Sequence, residues 1–301
     1  MSTLDDISRW LVGGTPAIAE RLVCCASPAG LHRMRYVEWG EPDNPNVLVC
    51  AHGTARNGRD FDELARALSS EFRVICPDIV GRGRSDWLSD AANYDLRQYV
   101  ADMMVLLGRL DVESVCWLGT AVGGLIGMWI AGQTESPIAR LLLNDVVPDV
   151  GFGSLLRAGG YAAERPSFET YEEAEAQLRL VAAAFGPLTN RQWRHLATHG
   201  VRSDEGGRFV PHYDPAIGRP SMWADGSGQV DLWSLYDRIR CPTFVVRGAD
   251  STVLSARNIR EMAERGPMPQ WVEIAGVGHA PMFQDLTQIH MVRDFLRSEW
   301  A

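Results

Sequence analysis

The chain reads as an α/β protein with a mostly parallel central sheet, helices on both faces and an inserted helical segment over one edge. Three observations lead there. Strand-like and helix-like segments alternate from about residue 33 onward, the pattern of parallel strands joined by crossover helices. The strand candidates are near-continuous apolar and β-branched runs, as burial on both faces requires. Between residues 150 and 237 the alternation lapses into helix-like pieces with scattered Gly and Pro and no convincing strand.

Taken in order, the expected strands are 33–39, 47–52, 73–78, 114–119, 139–145, 243–248 and 270–275. Helices are expected over 60–69, 96–110, 122–132, 255–266 and 284–300. In the first of these, Phe61, Leu64, Ala65 and Leu68 recur at i, i+3, i+4 and i+7, one apolar face. Residues 1–149 and 238–301 would form the core. Residues 150–237, with helices over 171–185 and 189–200, would form a cap on the carboxyl edge of the strands, where open α/β sheets bind ligands.

Length and composition agree with this division. A chain of 301 residues accommodates one large domain with an insert and is too short for two enzymes. A net charge of -9 argues against nucleic acid or an anionic membrane as partner. The six cysteines, at 24, 25, 50, 76, 116 and 241, lack metal-ligand spacing and read as buried free thiols of a reducing compartment. Asp5, Asp6, Arg9, Gly13, Gly14 and Pro16 interrupt the first twenty residues, and no apolar run is long enough to cross a bilayer. A cytoplasmic location is expected. No cofactor or metal is implied, and the oligomeric state is left open.

The strongest motif is Gly119-Thr120-Ala121-Val122-Gly123, preceded by an apolar strand and followed by a small-residue helix. It has the frame G-x-S-x-G with Ala at its centre. In that frame a sharp strand-to-helix turn lifts the central side chain out of the sheet, and glycines admit close backbone contacts. The helix N-terminus beyond favours negative charge developing in acyl transfer.

With further motifs in order, the chain resembles the α/β-hydrolase superfamily, in particular its bacterial serine-esterase branch with a helical cap. These motifs are His52-Gly53-Thr54-Ala55-Arg56-Asn57, Asp78-Ile-Val-Gly-Arg-Gly-Arg-Ser-Asp86, Leu143-Asn-Asp-Val-Val-Pro148, Arg247-Gly-Ala-Asp-Ser251 and Gly276-Val-Gly-His-Ala280. The resemblance covers nearly everything beyond residue 30. It implies His279 as general base, His52 as the residue ordering the oxyanion loop, and the backbone N–H groups of Thr54 and Val122 as the oxyanion hole. The acid is Asp250 or Asp145. Asp250 lies in the usual loop but two residues after Gly248, where the commoner register places the acid at the positions of Ser251 or Thr252. Asp145 ends the preceding strand. Asp78 and Asp86 read as structural.

A methyl group has no lone pair and no proton, so a covalent acyl-enzyme cannot form at Ala121. The intact surroundings favour a serine-type carboxylic ester hydrolase inactivated by a single Ser→Ala change over a long-decayed site. Two further readings remain: a ligand-binding protein without turnover, and a cofactor-free lyase or oxygenase using His279 as base. The expected partner is a small ester. Arg56 and Asn57 follow the oxyanion residue; Arg56 would pair with a substrate carboxylate, as on a hydroxyalkanoate oligomer, or brace its own loop. Trp193, Tyr213, Trp223 and Trp233 would line an apolar pocket or form the core of the cap.

Overall fold

The computed structural model describes residues 17–150, 162–218 and 230–298. Its strands are β1 Ile18–Ser27, β2 Gly30–Trp39, β3 Val47–Ala51, β4 Arg73–Pro77, β5 Val115–Thr120, β6 Ile138–Asn144, β7 Asp149–Val150, β8 Val201–Ser203, β9 Phe209–Pro211, β10 Val230–Asp231, β11 Thr243–Gly248 and β12 Gln270–Ile274. The helices are α1 Asp62–Leu68, α2 Leu96–Leu110, α3 Val122–Ala131, α4 Tyr171–Val181, α5 Asn190–Gly200, α6 Trp233–Tyr236, α7 Ala256–Ala263 and α8 Leu286–Arg297. Eight strands form one sheet in the order β1-β2-β4-β3-β5-β6-β11-β12. Only β1 with β2 and β2 with β4 pair antiparallel; the remaining pairs are parallel.

The central strands justify their apolar runs. In β3, Val47, Val49 and Ala51 enter one core, whereas Leu48 and Cys50 enter the other, the period-two division of a strand between two faces. The first core joins the sheet to α2 and α3 through Tyr99, Met103 and Ile126 around Trp117. The second joins it to α1 and α8 through Leu64, Leu68, Val292 and Phe295. Each such side chain contributes roughly 1.5–3 kcal/mol by leaving water. Helix starts are set by side-chain caps: Asp95 Oδ1 accepts from Gln98 N at 2.7 Å, and Asp285 Oδ1 from Gln288 N at 2.9 Å.

Four expectations need correction. The β1 strand went unread because only Val23 and Cys25 of its ten residues are buried; an edge strand lacks the apolar signal of a central one. For the same reason β12, at the other edge, is half exposed rather than buried on both faces. The segment 150–237 does hold strands. Two-stranded pairs β7/β10 and β8/β9 occur there, too short to leave a periodicity. The cysteines are unpaired, but Cys24 is exposed and Cys116 and Cys241 are half-buried. Among the described residues no helix is long and apolar enough to cross a membrane.

The insert sits on the loops that follow the parallel strands. Asn57 Nδ2 donates to His199 O at 2.8 Å, Gly83 N to His212 O at 2.9 Å, and Gly278 N to Ala184 O at 2.7 Å. These bonds fasten the insert above the ends of β3, β4 and β12. Trp193 and Tyr213 are buried and Trp233 is half-buried against Tyr236, all away from the cavity described below. Trp223 lies outside the described residues.

Candidate active site

The turn after β5 carries the strain its motif demands. Ala121 has φ 48 and ψ −113, a conformation costing a residue with a Cβ on the order of 1–3 kcal/mol. Backbone packing holds it there. A Cβ at Gly119 would lie 2.3 Å from Gly123 O, and one at Gly123 would lie 2.1 Å from Ala51 O, so neither position admits a side chain. Ala121 N donates to Asn144 O at 3.2 Å, and its carbonyl accepts from Gly124 N and Leu125 N. Val122 opens α3; its N–H belongs to the first turn, where helix amides have no intrahelical acceptor and the helix dipole is positive.

Beside this turn, His52 orders the loop after β3. Its Nε2 lies 2.9 Å from the Ile79 N–H and its Nδ1 2.7 Å from Gly53 O. Ile79 N–H is a donor, so Nε2 accepts and Nδ1–H donates; the ring is neutral. Burial drives its pKa down to about 3, which keeps that tautomer over the working pH range. Because Gly53 O is drawn toward His52, the N–H of Thr54 across the same trans peptide points the opposite way. Arg82, fully buried, pins the next carbonyl by donating from Nε to Thr54 O at 2.8 Å. Asp78, also buried, accepts from Gly58 N and Arg84 N, both at 2.8 Å, and burial lifts its pKa to about 6. Asp86 pairs with Arg33 on the surface.

His279 stands in the loop after β12. Its Nδ1 is 2.6 Å from Asp145 Oδ2. A carboxylate only accepts, so Nδ1–H donates to Asp145 and Nε2 is the ring nitrogen left for other partners. Asp145 is fully buried at the end of β6 and also accepts from Ser251 Oγ at 2.6 Å and from Gly248 N at 3.2 Å. Asp250, the first choice from the sequence, is exposed, and its backbone N–H donates to Val277 O. Position 251 accounts for this geometry. The serine there points inward and tethers the carboxylate arriving from β6, whereas residue 250 turns to solvent.

Two residues of the site were given no role from the sequence. Ser251 is one. Asn144 is the other: its Nδ2 donates to Thr120 Oγ1 at 2.9 Å and Pro281 O at 2.8 Å, joining the turn at Ala121 to the His279 loop. An Asn beside Asp145 at a strand end was the available signal.

His52, Gly53, Thr54, Thr120 and His279 border a cavity of about 220 Å³ beneath α4. The insert adds Leu178, Val181, Ala182 and Phe185. Arg56 also reaches this wall, bonded to Asp60 through Nε–Oδ2 at 2.8 Å and Nη2–Oδ1 at 2.5 Å. The Arg56 guanidinium is thus already paired within its own loop, four residues away. Asn57 does not border this cavity; its Oδ1 accepts from Arg59 N to cap a short 3₁₀ turn while its amide holds the insert. Among the described residues two groups have metal-ligand character, Cys25/His32/Asp102 and Asp62/His195/His199. Their carboxylates are occupied by His32 and Arg59 respectively, and neither group borders the cavity.

A sheet-borne strand–turn–helix apex, an oriented imidazole and a roofed cavity define the architecture of an α/β hydrolase. Residues 46–286 match the family described as alpha/beta hydrolase fold. The chain belongs to that family. It is 47% identical over 280 residues to a 3-hydroxybutyrate-oligomer hydrolase of Cupriavidus necator, covering 91% of this chain and 96% of that protein. It resembles the crystal structure of an alpha/beta hydrolase from Novosphingobium aromaticivorans with a TM-score of 0.82 at 32% identity, covering 94% of this chain and 99% of that one. A more distant similarity, 27% identity over 84% of this chain and 88% of the relative, is to the magnesium-chelatase 30 kDa subunit of Rhodobacter capsulatus. The nearer two similarities are to hydrolases.

Proposed function

We propose that the site is built for hydrolysis of small carboxylic esters through an acyl-enzyme and that Ala121 stands where that route needs a serine. The observation carrying this reading is the Asp145–His279 pair, bonded at 2.6 Å, whose imidazole borders the same cavity as the loop oriented by His52. In the complete mechanism His279 Nε2 takes the nucleophile's proton and returns it to the leaving alcohol. Asp145 holds the ring and stabilises the imidazolium. The Thr54 and Val122 amides receive the oxyanion. Residues 150–237 act as a cap that shields the reaction from water, and Arg56 binds substrate as half of an ion pair. A cytoplasmic location suits the unpaired cysteines.

With a methyl at the apex, the chain retains the binding and polarising parts and lacks the covalent step. That same methyl favours one other reading, a protein that holds an ester without cleaving it. A p-nitrophenyl butyrate assay of the Ala121→Ser protein separates them: the esterase reading requires turnover to appear, the binding reading requires none. Base catalysis by His279 without a nucleophile would instead give activity in the alanine protein that His279→Ala removes.

A further inference from the structure

The cavity is apolar where Phe61, Leu178, Val181, Ala182 and Met282 face it, yet one wall carries the Arg56–Asp60 ion pair. Their side chains are only 14% and 9% exposed. Withdrawing two charges from water costs energy that their mutual attraction barely repays. A plain hydrocarbon chain gains nothing from such a wall. Resting on the ester-hydrolysis reading, we propose that the pair reads a hydroxyl group on the acyl part of the substrate, so that the site selects esters of hydroxyalkanoic acids over unsubstituted esters of equal length.

Three features support this assignment. First, the pair is placed beside the reacting centre. A methyl at Gly53 would lie 3.8 Å from the Ala121 Cβ and 3.9 Å from Arg56 Cγ, so the arginine stem and the apex flank one small space. Second, its chemistry suits a neutral group. Asp60 uses its two oxygens on Arg56, and a carboxylate has about four lone-pair sites, leaving room to accept from a hydroxyl; a second carboxylate would be repelled. Third, the pair is held rigid. Asp60 lies in the turn Gly58–Phe61 capped by Asn57, and the Arg56 guanidinium lies 5.7 Å from the centre of the Phe185 ring. A hydroxy-acid oligomer would then be taken with its hydroxyl-terminal unit in the cavity.

The alanine chain tests this directly, because binding can be measured without turnover. Isothermal titration with p-nitrophenyl 3-hydroxybutyrate and p-nitrophenyl butyrate should give a Kd at least about tenfold lower for the hydroxy ester, since sites that bond a hydroxyl reject analogues lacking it. The R56L/D60L protein should bind the two esters within about twofold of each other, the preference for the hydroxy ester being lost. D60N, which keeps an acceptor and serves if the double variant does not fold, should retain part of the preference. Equal affinities in the parent chain, no measurable binding of the hydroxy ester, or a full preference surviving R56L/D60L or exceeded in D60N would overturn the proposal. Failure of Ala121→Ser to hydrolyse either ester, with the binding preference intact, would sink the esterase reading alone.

Discussion

Replacing Ala121 by serine asks for one oxygen atom and nothing else. The apex backbone is already at φ 48 and ψ −113, and both residues carry a Cβ, so the strain is common to them. The change in stability should stay within about 0.5 kcal/mol, as for substitutions that open no cavity and bury no unpaired group. The other parts need no adjustment: Asp145 and His279 are bonded at 2.6 Å, and His52 already orients the Gly53–Thr54 peptide. Removal of a triad nucleophile costs on the order of 10⁶ in kcat, about 8 kcal/mol of barrier. If the site works as proposed, its introduction should recover most of that. Hydrolysis of p-nitrophenyl butyrate should rise by several orders of magnitude, with an initial burst of p-nitrophenol matching the enzyme concentration. A rate within tenfold of the alanine protein, with an unchanged unfolding midpoint, would refute the reasoning, because the loss could then not be assigned to the missing oxygen.

The remaining expectations concern the same machinery. In the Ala121→Ser background, Asp145→Asn should lower kcat by about 10⁴, whereas Asp250→Asn should leave it within twofold; the reverse pattern would return the acid to position 250. Gly53→Ala should fold normally, its methyl meeting neighbours no closer than 3.8 Å, yet it should weaken ester binding severalfold by filling the space beside the apex, as titration on the alanine chain would detect. Stability should depend on pH through two buried groups of opposite sign. His52, with its folded pKa lowered to about 3 by burial, contributes fully above about pH 6.5 and loses a few kcal/mol as pH falls toward 3. Asp78, raised to about 6 by burial, contributes below about pH 4 and loses its share as pH rises through 6. Denaturant unfolding of Asp78→Asn should therefore show stability rising more steeply between pH 4 and 6 than in the parent. An unchanged slope would contradict the shift.

Local patterns in the chain determined much of this protein. Strands buried on both faces must be continuously apolar, so β3, β5 and β11 were legible at nearly their true bounds, and the glycines at 119 and 123 announced a turn packed against backbone. His52 and His279 stood out as candidates because each sits in a short motif whose spacing is local. What lay beyond reach was anything decided by neighbours far apart in sequence. Whether residue 145 or 250 meets His279 depends on which way two loops turn after β6 and β11; only the assembled sheet brings Ser251 against Asp145, across 106 positions. Arg56 was visible as a cation, but its place beneath the Phe185 ring of a segment more than a hundred residues on exists only once the insert has packed. The edge strand β1 was hidden for a related reason: its partners bury two of its side chains, and no pattern within ten residues reports a surface that exists only after the sheet has formed.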